Sequence, residues 1–344
     1  MLLKGMCVAL LVSVQLLGQS GTGIPARIQN APLTPPERQD LTTAWSKREF
    51  ERMEAILIAA ARTAAPKDHA SALCALLGAM EFLGSRMSQS VQGFRQADAL
   101  SPLDDNDRFT LAMALIELGD VKAARAELTR LSASHPKQPV YLYWLARLDY
   151  GQRLYEDAVE KFKQVVSLDP ASVRGYNNLG LSYDMMGQNE GAQAAFAKAV
   201  ELNRKLPAPS PWPPHDLGYL QLRLQQFAAA EANLRESLKY DPKFALAHYH
   251  LARVLENEGR NDAAIEEHKA AAALDVNLAE PLYSLLVVSP RRPDGRGSQR
   301  HGRIQEAQGI NPRCAIGCVR AARVPLGLIC GTSRFSGRRA KRVI

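Results

Sequence analysis

Residues 176–203 read YNNLGLSYDMMGQNEGAQAAFAKAVELN, and the spacing of their apolar side chains decides the fold. Tyr176, Leu179, Tyr183 and Met186 recur at steps of three and four, which places them on one face of a helix. Gly187 and Gln188 break that helix, and Ala192, Phe196 and Ala199 form the apolar stripe of a second one. Gly180 and Ala192 are small where two helices must approach closely; a bulkier residue there would overpack the contact. Phe196 is large where the space between hairpins has to be filled. The stretch predicts a helical hairpin.

The same layout recurs on both sides. Pro102, Pro136 and Pro170 stand 34 residues apart, and each closes a block. Within the blocks a Leu precedes a small residue (Leu77-Gly78, Leu111-Ala112, Leu145-Ala146), and a second small residue (Ser90, Ala124, Ala158) precedes a large apolar one (Phe94, Leu128, Phe162) by four positions. A fixed period of a few tens of residues marks a solenoid, in which each unit buries its apolar face only against its neighbours. Six blocks fit: 71–104, 105–138, 139–172, 173–206, 211–244 and 245–278. The turn glycine appears as Gly119, Gly187 and Gly259, and the small residue of the second helix continues as Ala192, Ala230 and Ala264. Arg204 and Val276 replace the closing proline, and His268 replaces the large apolar residue.

An aromatic, Leu-Gly, Tyr, Gly, Ala, Phe, Ala and a closing Pro in this order resemble the tetratricopeptide repeat, a 34-residue helix–turn–helix. The resemblance implies an all-α, right-handed superhelical solenoid of such hairpins. A seventh, divergent hairpin is expected over 36–70, with Trp45 on its first helix and Phe50, Met53 and Leu57 on its second. Between the fourth and fifth blocks the insertion at 207–214 carries five prolines, which cannot continue a helix. It reads as a spacer, with the next helix starting near Pro213 or Pro214, where proline suits the first turn. The alternative is a kink dividing the solenoid.

In this family the first helix of each hairpin lines the concave, ligand-binding side. The resemblance therefore nominates Phe109 from the second block, Tyr143, Arg147 and Tyr150 from the third, and Arg174 and Asn177 from the fourth. It adds His215, Tyr219, Leu222 and Arg223 from the fifth and Tyr249 and Arg253 from the sixth. Tyr and Arg are enriched in binding hot spots because they offer stiff contact area and forked donors. As a set they imply a groove for an extended or helical peptide with acidic groups. The Lys and Asn carboxylate clamp of co-chaperone relatives is matched by Asn177 alone, so chaperone C-termini are not expected ligands.

The ends differ from the middle. Residues 1–20 carry Lys4, an apolar run over 5–17 too short to span a bilayer, and the small residues Gly18 and Ser20, as a cleaved secretory signal does. Residues 21–35 read as a linker, and 279–289 as a capping helix with Leu282, Leu285 and Leu286 on one side. The chain's net charge of +8 belongs to its last stretch: 290–344 holds thirteen Arg and Lys against two acids, leaving 30 bases and 33 acids upstream. This Arg/Gly-rich tail reads as disordered, in keeping with out-of-frame translation; a basic arm for RNA or a membrane is the alternative. Phe335 is its one aromatic, so it lacks the stacking platforms that single-stranded nucleic acid needs.

No P-loop, dinucleotide fingerprint, HExxH or GxSxG occurs. Asp104, Asp105 and Asp107 suit capping of the following helix better than calcium, since the loop lacks the Gly and distal Glu of an EF-hand. His248 and His250, two apart, point away from each other on a helix; His248 is expected to face His268 as a neutral core pair. No cysteine pair has zinc or redox spacing. The expected function is an exported, non-catalytic scaffold for a protein or peptide partner, with no cofactor, metal or nucleic acid. A tetratricopeptide portion of a larger, frame-disrupted enzyme remains the alternative.

Overall fold

A computed structural model of the chain describes residues 23–275 and 278, all within one compact unit. The expected signal at 1–20, the capping helix at 279–289 and the tail at 290–344 lie outside the described residues. Helices are the only regular elements among the described residues. A short helix, α1 (Ile24–Asn30), forms inside the segment read as a linker. Seven helix pairs follow: α2 (Pro35–Lys47) with α3 (Phe50–Thr63), α4 (Lys67–Leu83) with α5 (Met87–Leu100), and α6 (Asp105–Glu117) with α7 (Val121–Ser134). Next come α8 (Pro139–Gly151) with α9 (Tyr155–Leu168) and α10 (Val173–Met185) with α11 (Asn189–Asn203). The last pairs are α12 (Trp212–Arg223) with α13 (Phe227–Tyr240) and α14 (Ala245–Asn257) with α15 (Asn261–Leu274).

The 34-residue period is a burial pattern. Ser90, Ala124, Ala158, Ala192, Ala230 and Ala264 are all fully buried, and so are Phe94, Leu128, Phe162, Phe196, Leu234 and His268 four positions on. A methyl group added to Gly180 would stand 2.5 Å from the Phe196 ring, and one added to Gly78 would stand 2.9 Å from Phe94. A side chain at either position would force the facing ring to shift. The hairpin turns repeat as well. Gly119, Gly187 and Gly259 take left-handed φ values of 77°, 70° and 74°, and Arg48, Ser85, Arg153 and Gln225 take the same conformation without being glycine. In each turn the next amide reaches back five residues to close the helix, as Asp120 does to the Leu115 carbonyl at 2.9 Å. The turn is set by backbone geometry, and glycine is its least strained occupant.

Each helix packs on the next in sequence, and first helices touch across hairpins: α4 on α6, α8 on α10, α10 on α12 and α12 on α14. Buried apolar side chains form successive clusters rather than one nucleus. The first runs from Ile24 to Leu148, the next from Ala146 to Ala195, then Ala192 to Leu220, then Leu222 to Ala264. The third cluster joins Phe196 to Leu217 and Leu220 across the proline-rich insertion. The insertion is therefore a spacer around which stacking continues, and α12 starts at Trp212 with prolines in its first turn.

Candidate functional site

Asp104 caps α6 by accepting the Asp107 amide at 2.8 Å, as the capping reading requires. On the same helix Phe109 is buried and meets Tyr141 edge-on at 5.6 Å, so it serves the core rather than a surface. On α8, Tyr143 lies edge-on to Phe162 at 5.8 Å, and the Arg147 guanidinium sits 5.6 Å above the Trp144 ring. Tyr150 meets Tyr155 at 5.6 Å, and burial pushes its phenol up to about 12. Arg174 on α10 is exposed. Asn178, the residue beside Asn177, donates to the Tyr143 hydroxyl at 3.3 Å and so ties α10 to α8.

Asn177, His215 and His250 form one buried network across α10, α12 and α14. Asn177 Nδ2 donates to Asp216 Oδ2 at 2.8 Å, and His215 Nδ1 lies 2.9 Å from Asp216 Oδ1. A carboxylate only accepts, so the His215 proton sits on Nδ1. Its Nε2 lies 3.0 Å from His250 Nδ1, within hydrogen-bond reach. Tyr219 stacks on His250 at 4.4 Å, and Trp212 and Phe244 enclose His215. The histidine pair is thus His215–His250. The expected partnering of His248 with His268 does not form: His248 Nδ1 contacts Glu267 at 2.6 Å, and His268 Nε2 contacts Glu256 at 2.9 Å. The last two blocks hold four histidines, His215, His248, His250 and His268; which of them met depended on how α12 seats against α14.

The arginines form a second pattern on these first helices. Arg223 lies 5.7 Å from the Tyr219 ring and Arg253 lies 6.0 Å from the Tyr249 ring, each pinned to an aromatic four residues earlier. Arg223 Nη1 donates to both Asp184 oxygens at 2.7 Å. Among the described residues Arg147, Arg174 and Arg253 have no carboxylate within ion-pair distance. The Asn177 Oδ1 is buried with no hydrogen-bond partner among them either. Contacts link Asn177, His215, Tyr219, Tyr249 and Arg253 through Asp216 and His250, while Arg147 is seated on Trp144 and Phe109 lies in the core. Trp144 and Asp216 were not singled out in the sequence, because only the contacts reveal one as the seat of Arg147 and the other as the link between Asn177 and His215.

Profiles of the tetratricopeptide repeat match residues 109–173 and 215–276, and residues 173–206 between them. The chain belongs to the tetratricopeptide repeat family. A tetratricopeptide repeat protein from Parabacteroides merdae shares its fold with a TM-score of 0.56 at 16% identity, over 74% of this chain and 98% of that one. The pilF protein of Pseudomonas aeruginosa does so with a TM-score of 0.53 at 20% identity, over 63% and 97%. By sequence, the CTR9 homolog of Arabidopsis thaliana is 23% identical over 220 residues, 61% of this chain. The chain spans about a fifth of that protein's length, 20%. Tetratricopeptide repeats build protein interaction scaffolds, and this chain is one by fold. No described helix is long and apolar enough to cross a membrane, and no group of three metal-ligating side chains converges among the described residues.

The buried histidine pair makes the repeat stack acid-sensitive. Burial, then the neighbouring His215 and Arg253, hold His250 well below its ordinary value of 6.5. Between that depressed value and 6.5 the unfolded chain binds a proton the folded one refuses, so stability falls as pH drops below 6.5. The slope is about 1.4 kcal/mol per pH unit for one excluded proton. His248 acts oppositely, since Glu267 raises it, and its contribution fades as pH rises above 6.5. Glu81, pushed up to about 6 chiefly by burial, likewise loses stability as pH climbs from 4.5 through 6. Urea titrations at pH 7.5 and 5.5 should show a smaller acid loss in His250→Phe than in the wild type. Equal losses would mean that His250 does not govern the acid limb.

Proposed function

We propose that the first-helix face of α8, α10, α12 and α14 binds a protein segment, extended or helical, through its acidic side chains. The observation that carries this reading is the set of arginines without acid partners. Arg147 and Arg253 are each held against an aromatic ring, which fixes a forked donor at little further entropic cost on binding. Arg174 adds an exposed cation between them in the stack. Tyr143 and Tyr219 complete the surface with half-buried rings.

The test is selection of peptides on the full chain from a library unbiased in charge. Acid-rich sequences should emerge, and Arg147→Ala with Arg253→Ala should weaken them about tenfold or more, equivalent to about 1.4 kcal/mol. Binding should also weaken with salt, because the charges are partly exposed. Selection of neutral or basic sequences, or affinity indifferent to both arginines, would remove this assignment.

A further inference from the structure

The short helix α1 departs from the contact rule of the rest of the fold. Every later helix touches the next one, or the first helix of the adjoining hairpin. Helix α1 packs on the next helix, α2, but it also packs on α4, and its Arg27 reaches α6, eighty residues away in sequence. Those are the first helices of three consecutive hairpins. The segment thus lies along the face that the family resemblance assigns to ligands, on the three hairpins that precede the one carrying Arg147.

Its contacts are those of a bound peptide. Ile24 and Ile28, one turn apart, are almost completely buried. Between them Arg27 makes a forked contact: Nη1 donates to Asp107 Oδ1 at 2.7 Å and Nη2 to Oδ2 at 2.9 Å. Asp107 retains only 6% of its side-chain exposure. Such an anion, removed from water, needs a cation to remain charged. The acids beside it are otherwise engaged, Asp104 in the cap and Asp105 at 2.6 Å from His135. Helix α1 has seven residues, too few to be helical by itself, so docking is what orders it. Residues 31–34 connect it to α2, and Arg38 Nη2 holds this connection through the Ala31 and Leu33 carbonyls at 3.1 and 3.0 Å.

We propose that α1 is a built-in ligand occupying a second peptide site on α2, α4 and α6, one that takes a short apolar helix with a central arginine and centres on Asp107. The site has the opposite charge preference from the acid-binding face and does not depend on it. A tethered segment competes at millimolar effective concentration, so an external peptide of the same kind gains access only when α1 leaves.

The probe is a fluorescein-labelled peptide of residues 22–34, titrated into the full chain and followed by anisotropy. It should bind Arg27→Glu, whose own α1 is repelled from Asp107, at least tenfold more tightly than the wild type. A peptide with alanine in place of the arginine should bind that variant at least tenfold more weakly. A second chain, Arg27→Gln, removes the attraction without adding repulsion and should behave in the same direction. Hydrogen exchange on α2 to α5 should be preserved in both variants. Equal binding to all three chains, indifference to the peptide's arginine, or collapse of protection in α2 to α5 in both variants would overturn the proposal; the last would make α1 part of the core. The acid-binding reading would stand in each of these cases.

Discussion

Replacing Phe196 by alanine is expected to remove about 3–5 kcal/mol of stability, and to do so locally. The ring is 1% exposed and fills the space over Gly180, where even a methyl group would stand 2.5 Å from it. It shares a cluster with Ala192, Val200, Leu217 and Leu220, so it joins the α10–α11 hairpin to α12. Collapse cannot heal the cavity, because the opposing surface is glycine backbone in a helix. In a stack whose units contact only their neighbours, the loss remains near the missing ring. Hydrogen exchange should therefore rise in α10 to α13 while α4 to α7 keep their protection. A uniform rise along the chain would contradict successive clusters and favour one cooperative nucleus. A double-mutant cycle sharpens the result. Gly180→Ala should be costly beside Phe196 and much less so beside Ala at 196, a coupling of about 1–3 kcal/mol.

Changing Asn203 to alanine is the second large effect, at about 2–4 kcal/mol. The Asn203 side chain is fully buried and holds both polar groups of one residue: Nδ2 donates to the Ser210 carbonyl and Oδ1 accepts the Ser210 amide, each at 2.8 Å. Truncation orphans both, and an unmade buried hydrogen bond costs about 1–3 kcal/mol per group. This clamp shapes the insertion that carries the chain from α11 to α12. Ser237 assists by donating to the Pro211 carbonyl at 2.8 Å, so Ser237→Ala should cost roughly 1 kcal/mol by the same reasoning. Urea denaturation reads both values. If Asn203→Ala changed stability by under about 0.5 kcal/mol, the Asn203 clamp would not be what holds the insertion. Asn203→Asp should fall between, since it keeps the acceptor and loses the donor.

Much of the fold was legible in the residues because a solenoid's contacts are local in sequence. Small and large positions of the second helices repeat every 34 residues, and each is buried as its place in the repeat demands. The turns were legible only where they held glycine. Arg48, Ser85, Arg153 and Gln225 adopt the same left-handed geometry, strained but tolerated, and so carry no mark in the sequence. Helix α1 escaped notice because seven residues with one proline lack a periodic signal, and its order comes from surfaces up to eighty positions away.

The candidate site divides along the same line. Tyr143, Arg147, Tyr219 and Arg253 are nominated by their place in the repeat, since each stands on a first helix. Pairing across hairpins did not follow. That His215 meets His250 rather than His248 meeting His268, and that Asp107 receives Arg27, depends on offsets of a few ångströms between stacked helices. The order of residues alone determined an array of helical hairpins with an apolar seam, because short-range periodicity is enough to specify who packs on the nearest neighbour. Only the tertiary structure decided which polar groups meet inside that seam and which first helices are already covered, because those contacts join residues whose separation follows no period.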